Sequence, residues 1–444
     1  MEHVQENKEN FISSFFKLRE NETNVKTEVL AGFTVFTTMA YILFLVPKIL
    51  GSAGMPTGPV LTALIGTVFF TTVLMGLVTN RPFVLGPGLG SVSIFAITLV
   101  QGEGVPWEVA AGIVFISGVA FLLVTVFGLR ELVVKVVPKS IKIAISTAIG
   151  VKLTLLGLRN SKIIIANADR NVLQFGNLAQ PKVALSVLCF ILLIIFAAKK
   201  LRGGVLFAVL ITTAVGIPLG ITRLPTSLFM MPSGVGEIAF KLDVLGAMSI
   251  KYLPFFFAFF VSDFFSTFGT LLGVGSRAGF LDKDGNLPGI QKSFFVDSIA
   301  TIVGAMFAMP VMTTYLESAS GVEAGGRTGL TSISTAILFL FTLLITPLVI
   351  IVPSAATAPV LTFLGLTMMT GIKGIEFEEI SEYLPALLCI IITVFTYNVG
   401  NGIACAIISY VILKLAINKH KELHPTIYFL ALLLVYYFYI IVKG

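Results

Sequence analysis

The stretch Phe255-Phe-Phe-Ala-Phe-Phe-Val-Ser-Asp-Phe-Phe-Ser-Thr-Phe-Gly-Thr270 places one carboxylate, Asp263, inside an otherwise apolar run. A carboxylate at the centre of a membrane helix costs about 2.5 kcal/mol or more, so it normally faces a cavity and binds a substrate or an ion. The alternative is a structural carboxylate that receives hydrogen bonds from hydroxyls of the same run, namely Ser262, Ser266 and Thr267. We expect the functional role.

The rest of the chain shares the apolar character of this run. Of its 444 residues, 56% are hydrophobic and 12% are charged, and the mean hydropathy is +0.98, whereas a soluble domain has about 25% charged residues. Apolar runs close to the roughly 20 residues that cross a bilayer as a helix recur at 29–44, 113–127, 185–198 and 333–352. They lack the alternation of a membrane β-barrel. The composition therefore predicts an all-α, multi-pass membrane protein.

The apolar runs form two sets of seven with the same order of long and short members. An odd number of spans inverts the second set relative to the first, as is common in secondary transporters. We assign 1–27 to an N-terminal segment, 28–222 to the first repeat, 252–417 to the second and 418–444 to a C-terminal segment. The stretch 427–442 either crosses the membrane or lies in its interface. The fourteen predicted spans are 28–50, 59–79, 83–101, 109–129, 138–158, 183–198, 203–222, 252–276, 294–309, 316–326, 330–352, 354–371, 384–398 and 400–417.

The third span of each set is short and interrupted. It contains Leu85-Gly-Pro-Gly-Leu-Gly-Ser91 in the first set and follows Met309-Pro-Val-Met-Thr-Thr-Tyr315 in the second, where it is the tenth span of the chain. Interrupted spans at matching positions indicate a binding site at the membrane midplane, although ordinary kinked helices would give the same pattern. A fainter echo supports the repeat, because Pro138 and Gly150 have the same spacing as Pro353 and Gly365.

The charged and metal-binding residue types set the orientation and exclude other classes. Lys17, Arg19 and Lys26, with Lys8, precede the first span, which predicts a cytoplasmic N-terminus in the cell membrane. The net charge of +7 therefore reflects topology, and we expect no nucleic-acid partner. The three histidines lie in polar end segments and the three cysteines in apolar runs. We expect neither a metal site nor another cofactor.

A second intramembrane carboxylate, Glu317, follows the interrupted tenth span. If a half-helix begins near residues 315–316, Glu317 either binds substrate donors or caps that helix. With Asp263 it forms a pair suited to two tasks. One carboxylate accepts hydrogen bonds from a flat polar substrate and the other takes up and releases a proton; spacing leaves open which does which.

Further substrate contacts are expected around the two carboxylates. Glycine allows close backbone approach, and a phenylalanine ring can stack on a planar substrate. The predicted contacts besides Asp263 and Glu317 are Gly90, Ser91, Phe95, Thr267 and Ser318.

Three other charged residues near these motifs are given structural roles. We expect Asp297 to be a cap or a packing anchor, and Glu323 and Arg327 to form an ion pair near the cytoplasmic end.

Several motifs resemble those of the AzgA-like purine permeases of the nucleobase–cation symporter-2 (xanthine/uracil permease) family. They occur in the family's order and at similar spacing over nearly the whole chain. The motifs are Thr27-Glu-Val-Leu-Ala-Gly-Phe-Thr-Val-Phe-Thr-Thr-Met-Ala-Tyr-Ile42, Gly86-Pro-Gly-Leu-Gly90, Phe295-Val-Asp-Ser298 and Tyr315-Leu-Glu-Ser-Ala-Ser-Gly-Val-Glu-Ala-Gly-Gly-Arg-Thr-Gly-Leu-Thr331.

The resemblance implies a fold of fourteen spans in two inverted repeats, divided into a core domain (28–129 plus 252–352) and a gate domain (138–222 plus 354–442). It also implies uptake of adenine, guanine or hypoxanthine with protons, sodium being the other coupling ion to consider, and a possible homodimer in contact with membrane lipid. The family's two key acidic positions match Asp263 and Glu317.

The chain departs from the family pattern at three positions. Val46 and Val92 stand where the family usually has asparagine, and Ser266 stands where it has a second acidic residue. A site that loses polar partners loses discrimination among substrates. Two alternatives to a purine:proton symporter therefore remain: the same fold carrying another nucleobase or a small anion, and, more remotely, a membrane-embedded enzyme or receptor.

Overall fold

The computed structural model describes residues 11–128, 138–167, 172–201, 203–225, 229, 234–283, 286–396 and 399–443. Parts of the predicted segments lie outside the described residues: positions 1–10 with Lys8, residue 129 at the end of the fourth span, 397–398 in the thirteenth, 130–137, 168–171 and 202 of the first repeat, 284–285 of the second, and 444 of the C-terminal segment. Within the described residues the chain is predominantly helical and contains four short strands.

The first repeat begins with a helix capped by Asn24, whose side chain accepts a hydrogen bond from the Thr27 amide. This first span is interrupted at residues 40–41 and then continues to Ser52. The elements of the N-terminal segment and this repeat are α1 (Phe11–Phe15), α2 (Val25–Met39), α3 (Ile42–Ser52), α4 (Thr57–Thr79), β1 (Leu85–Pro87), α5 (Leu89–Ser93, continued by π-helical turns over Ile94–Gly102), α6 (Trp107–Val126), α7 (Lys139–Asn160), β2 (Ile164–Asn167), β3 (Val172–Phe175), α8 (Pro181–Ala198) and α9 (Gly204–Gly216).

The second repeat follows a connection that contains the short helix α10. Single 3₁₀ turns precede its first span, interrupt its fourth and extend its fifth. The elements are α10 (Val244–Ala247), α11 (Leu253–Arg277), α12 (Ile290–Met306), β4 (Met312–Thr314), α13 (Ser318–Glu323), α14 (Gly329–Phe341), α15 (Thr346–Ile350), α16 (Ser354–Met369), α17 (Ile380–Thr396), α18 (Val399–Ala416) and α19 (Pro425–Lys443).

The helices agree with the predicted order of spans. In the described part of the chain, eight helical segments are long and apolar enough to cross a membrane, and five shorter apolar helices accompany them. The predicted tenth span, 316–326, is shorter than expected, because the strand β4 is followed by only six helical residues. The stretch 427–442 lies in α19.

The two interrupted spans meet each other through their strands. β1 pairs antiparallel with β4, with Leu85 opposite Thr314 and Pro87 opposite Met312. The Gly88 amide extends this pairing by donating to the Val311 carbonyl at 2.9 Å. Backbone polar groups in a membrane must find partners within the protein, and this two-stranded contact supplies them where the helices stop.

Most helices pack into two groups. In the first helix group α14 lies against α2 and α4, and α12 lies against α4 and α6. In the second helix group α7 lies against α16 and α17, α16 lies against α8, and α17 lies against α18. The predicted division into a core and a gate domain stays a prediction.

The two glycines that have equivalent positions in the two predicted repeats, Gly150 and Gly365, are in direct contact. A Cβ on Gly150 would lie 2.7 Å from the Gly365 carbonyl oxygen, and a Cβ on Gly365 would lie 2.5 Å from the Gly150 carbonyl oxygen. The backbones of α7 and α16 therefore touch at equivalent positions of the two repeats. Such close approach requires small residues, as is usual where helices cross in membranes.

Candidate substrate site between two interrupted spans

A cavity of about 540 Å³ lies where the two interrupted spans meet α7 and α11. Its wall includes Gly90 and Ser91 from the third span, Asp263 from α11 and Glu317 from the tenth span. The cavity thus brings together four of the seven predicted site residues, which come from three segments that are distant in the sequence. A concave site with a few convergent polar groups is the usual form of a small-molecule site.

Asp263 is 1% exposed and only one of its carboxyl oxygens receives a hydrogen bond. Thr301 donates to Oδ2 at 2.8 Å, whereas Oδ1 has no donor among the described residues. The hydroxyls of its own run do not satisfy this carboxylate, so the structural alternative considered from the sequence is wrong. An unpaired buried acceptor is costly, so this oxygen favours a partner that supplies a donor.

Thr301 links Asp263 to the strand β4. Its Oγ1 lies 2.8 Å from Asp263 Oδ2 and 2.9 Å from the carbonyl oxygen of Met312. A threonine hydroxyl has a single proton to donate. It therefore serves the carboxylate or the strand carbonyl, and a proton on Asp263 would decide which.

Asp297 is a neighbour of Asp263 that the sequence analysis did not connect with the site, and it is not among the residues that line the cavity. It lies in the middle of α12, is fully buried, and does not cap a helix. Thr267 donates to its Oδ2 at 2.8 Å and Thr314 donates to its Oδ1 at 3.1 Å. Its carboxyl group also lies within hydrogen-bonding reach of that of Asp263. A carboxylate within the apolar span 294–309 was the available signal, the same one that identified Asp263.

Glu317 is held by a residue from the interruption of the first span. The hydroxyl of Tyr41 donates to Glu317 Oε1 at 2.8 Å. Although Glu317 precedes α13, its side chain makes no capping hydrogen bond, so the capping alternative is wrong. The nearby hydroxyl of Tyr315 instead donates to the Pro87 carbonyl and ties the two interrupted spans together.

The other predicted contacts are placed in different ways. Ser91 lines the cavity, and its hydroxyl donates to the Gly88 carbonyl at 2.7 Å. Phe95, Thr267 and Ser318 are fully buried and are not among the residues that line the cavity. Ser318 Oγ accepts a hydrogen bond from the Val84 amide at 3.0 Å, so it braces the third span rather than facing the cavity.

The three departures from the family pattern are not equivalent in space. Ser266 lines the cavity, whereas Val46 and Val92 are buried in the hydrophobic core. Of these three side chains, only Ser266 therefore faces the space available to a substrate.

The predicted ion pair between Glu323 and Arg327 is wrong. Glu323 pairs with Arg277 of α11 at 3.1 Å. The Arg327 guanidinium donates to the carbonyl oxygens of Val322 and Gly326 at 2.8 Å. The helix α13 ends at Glu323, and the tight turn that follows directs Arg327 back onto its carbonyls.

A family model described as "Permease family", that of the xanthine/uracil permeases, matches residues 26–405. A putative permease from Methanocaldococcus jannaschii is 37% identical over 95% of this chain and 97% of its own length. The adenine permease AdeP of Escherichia coli is 33% identical over 97% of each chain. The guanine/hypoxanthine permease PbuO of Bacillus subtilis is 33% identical over 94% of this chain and 98% of its own.

Solved structures show the same fold at much lower identity. The transmembrane domain of the cyanobacterial bicarbonate transporter BicA gives a TM-score of 0.61 at 16% identity, covering 86% of this chain and 97% of that domain. The murine anion transporter Slc26a9 in its inward-facing state gives 0.64 at 12% identity, covering 94% and 74%. The chain therefore shares its fold, with two inverted repeats, with these membrane proteins, and the family match identifies it as a permease rather than an enzyme. The chain belongs to the xanthine/uracil permease family.

Proposed function

We propose that this permease is a purine nucleobase:proton symporter of the cell membrane that works by alternating access. The observation that carries the proposal is the carboxyl group of Asp263, which lines the cavity together with Glu317 and whose Oδ1 has no hydrogen-bond donor among the described residues. Purines carry N–H donors in a planar ring, and a buried unpaired acceptor favours a ligand that supplies a donor. Relatives named as adenine and guanine/hypoxanthine permeases support this class of substrate.

The neighbouring carboxyl groups of Asp263 and Asp297 supply a place for the coupling proton. A hydrogen bond between two carboxyl groups requires one proton on the pair. If that proton is on Oδ2 of Asp263, which then donates to Asp297, the Thr301 hydroxyl is released from Oδ2 and donates to the Met312 carbonyl at 2.9 Å. Proton uptake would then change a hydrogen bond on β4, a strand of the interrupted span that leads to Glu317.

Alternating access requires the two helix groups to move relative to each other. We assign the core domain to 28–129 plus 252–352, which holds both interrupted spans, and the gate domain to 138–222 plus 354–442. The cavity lies between them, since α7 of the second group faces Asp263 and Gly90 of the first. Binding sites between repeats are the general arrangement in secondary transporters.

Uptake of labelled adenine, guanine and hypoxanthine by cells that lack their own purine permeases tests the proposal. We expect saturable uptake by the wild type and none by Asp263→Asn, because the amide presents donors where the substrate needs an acceptor. Glu237→Gln, the same change at an exposed position, is the matched control. Wild-type uptake by a well-expressed Asp263→Asn would disprove the assigned role.

Proton coupling is tested in proteoliposomes. An inward proton gradient should accelerate nucleobase uptake, and adding nucleobase should acidify the lumen. Asp297→Asn should retain exchange of internal for external nucleobase while losing the proton-driven accumulation. Accumulation driven by a sodium gradient alone would replace the proton with sodium in this scheme.

Transport of a small anion is the second candidate, and one observation favours it. Lys142 lines the cavity and would attract an anion. Two carboxylates line the same cavity and oppose that attraction, which is why a neutral nucleobase fits better. Inhibition of nucleobase uptake by bicarbonate or chloride, with transport of the labelled anion, would favour the anion.

A further inference from the structure

A lysine is buried at membrane depth outside the substrate cavity. Lys152 lies in α7, is 3% exposed, and donates from Nζ to Thr98 Oγ1 at 2.5 Å. The carboxylate of Glu103, which follows the π-helical turns of the third span, attracts the same ammonium group. Ionisable residues in membrane spans are rare and expensive, and they usually have a functional role. Nothing in the substrate site accounts for this one.

The position of Lys152 along α7 separates it from the cavity. Residues 142–149 of this helix line the cavity, and Lys152 is about one turn further on. At this point α7 meets the third span, because a Cβ on Gly90 would lie 3.6 Å from Ile149 Cδ1. We call the contact of α7 residues 149–152 with third-span residues 90–98 the rear seam.

The rear seam joins the two helix groups. α7 packs with α16 and α17, whereas the third span packs with α3 and α6. The cavity extends from the rear seam toward Lys142 and the exposed Gly371, near the other end of α7. The rear seam therefore closes the side of the cavity away from its mouth.

We propose that Lys152 is a positioning residue of the transport cycle that sets how firmly the rear seam stays closed: its hydrogen bond to Thr98 joins the two sides, and the cost of burying its charge keeps the rear seam able to open. The inference rests on the alternating-access part of the proposed function. A cation is well suited to this task because burying it is costly, and the hydrogen bond to Thr98 offsets part of that cost. The closed rear seam is consequently held but not over-stabilised, and water regains access to the ammonium when the rear seam opens.

This arrangement gives opposite expectations for the two partners. Thr98→Val removes the acceptor and leaves a buried cation less well paired, which destabilises the closed rear seam. Lys152→Met removes the cation and fills its place with an apolar side chain, which stabilises the closed rear seam. The double variant should behave as Lys152→Met, since no cation remains to be left unpaired.

Electron spin–spin distance measurement on the purified full-length protein tests this directly. Spin labels are attached at Pro106→Cys and Asn160→Cys, two exposed positions beyond the rear seam, after the three native cysteines are changed to alanine. We expect Thr98→Val to move the distance distribution toward longer distances. Lys152→Met should narrow the distance distribution and shift it toward its shortest distances.

The control is Thr154→Val, which removes a hydroxyl from the same helix that bonds only the Gly150 carbonyl of its own preceding turn at 2.9 Å. It should leave the distribution unchanged. Shifts of Thr98→Val and Lys152→Met in the same direction, or no shift in either, would overturn the proposal.

The measurement uses no substrate, so it separates the two proposals. If the expected shifts are absent in a protein that still takes up nucleobases, the role proposed for Lys152 is wrong and the proposed function is unaffected. If the expected shifts occur in a protein that transports no purine, the role of Lys152 at the rear seam stands and the proposed substrate is wrong. In uptake, Lys152→Met should lower the maximal rate several-fold with little change in KM, and Lys152→Arg should restore it in part.

Discussion

At the scale of single residues, what distinguishes a functional carboxylate from a structural one is whether its oxygens are satisfied. Glu28 is as deeply buried as Asp263. Its carboxylate accepts hydrogen bonds from the amides of Arg327, Thr328 and Thr331, and from the Thr331 hydroxyl. Glu28 thus anchors the start of α14, whereas Oδ1 of Asp263 has no donor among the described residues, as the proposed binding role requires.

Glu28→Ala should destabilise the protein by about 3 kcal/mol or more, because several buried donors lose their acceptor at once. Thermal unfolding in detergent and the amount of protein in the membrane measure this loss. Glu323→Ala, which removes an exposed ion pair with Arg277 at 3.1 Å, should cost less than about 1 kcal/mol. Equal melting temperatures for the two variants would show that Glu28 does not anchor α14.

At the scale of elements, backbone contact between helices explains several glycines inside the spans. Gly76 of α4 and Gly329 of α14 touch, and a Cβ on Gly76 would lie 2.7 Å from the Gly329 carbonyl oxygen. Gly66 lies in the same helix with nothing within 4 Å of such a Cβ. The two glycines of one helix therefore have different reasons to be there.

Gly76→Ala should push α4 and α14 apart and cost about 1–3 kcal/mol, as overpacking of a tight contact does. Gly66→Ala should be neutral or stabilise by up to about 1 kcal/mol, because alanine is the better helix former. Melting temperatures of the two purified variants decide the matter. A lower melting temperature for Gly66→Ala than for Gly76→Ala would contradict the packing described here.

The segment before α17 carries a second test, based on pH. The Glu379 carboxylate accepts hydrogen bonds from three side chains: Lys419 donates at 2.6 Å, Ser381 donates at 2.7 Å and Lys414 donates at 3.1 Å. These hydrogen bonds lower the pKa of Glu379 from an ordinary value of 4.5 to about 2. The folded-state pKa lies below the unfolded one, so the stabilisation is present above about pH 4.5 and is lost as pH falls toward 2.

Glu379→Gln should therefore weaken the dependence of the melting temperature on pH below about 4.5. The melting temperatures of the variant and the wild type should approach each other as pH falls. Glu378→Gln, the same change at the exposed neighbouring position, should follow the wild type. Parallel melting curves for Glu379→Gln and the wild type across this pH window would exclude the role given to Glu379.

At the scale of the whole molecule, basic connections on one side predict the orientation in the membrane. Pro106 precedes α6 and Lys199 follows α8, both exposed, and an odd number of predicted spans separates them. With Lys17, Arg19 and Lys26 in the cytoplasm, Pro106 lies outside and Lys199 inside. A membrane-impermeant maleimide should label Pro106→Cys in intact cells and Lys199→Cys only after permeabilisation. The reverse labelling would invert the orientation.

The amino-acid sequence by itself determined the membrane class, the order of the spans, the two interrupted spans, and Asp263 and Glu317. These features follow from the cost of placing polar atoms and helix breakers in lipid, a cost that is incurred locally along the chain. Tertiary structure alone decided which carboxyl oxygen stays unpaired, that Asp297 joins Asp263, that Glu323 pairs with Arg277, and that Lys152 reaches Thr98. Those contacts join helices that are distant in sequence, and their partners depend on how whole helices pack. No local pattern in the chain encodes that packing.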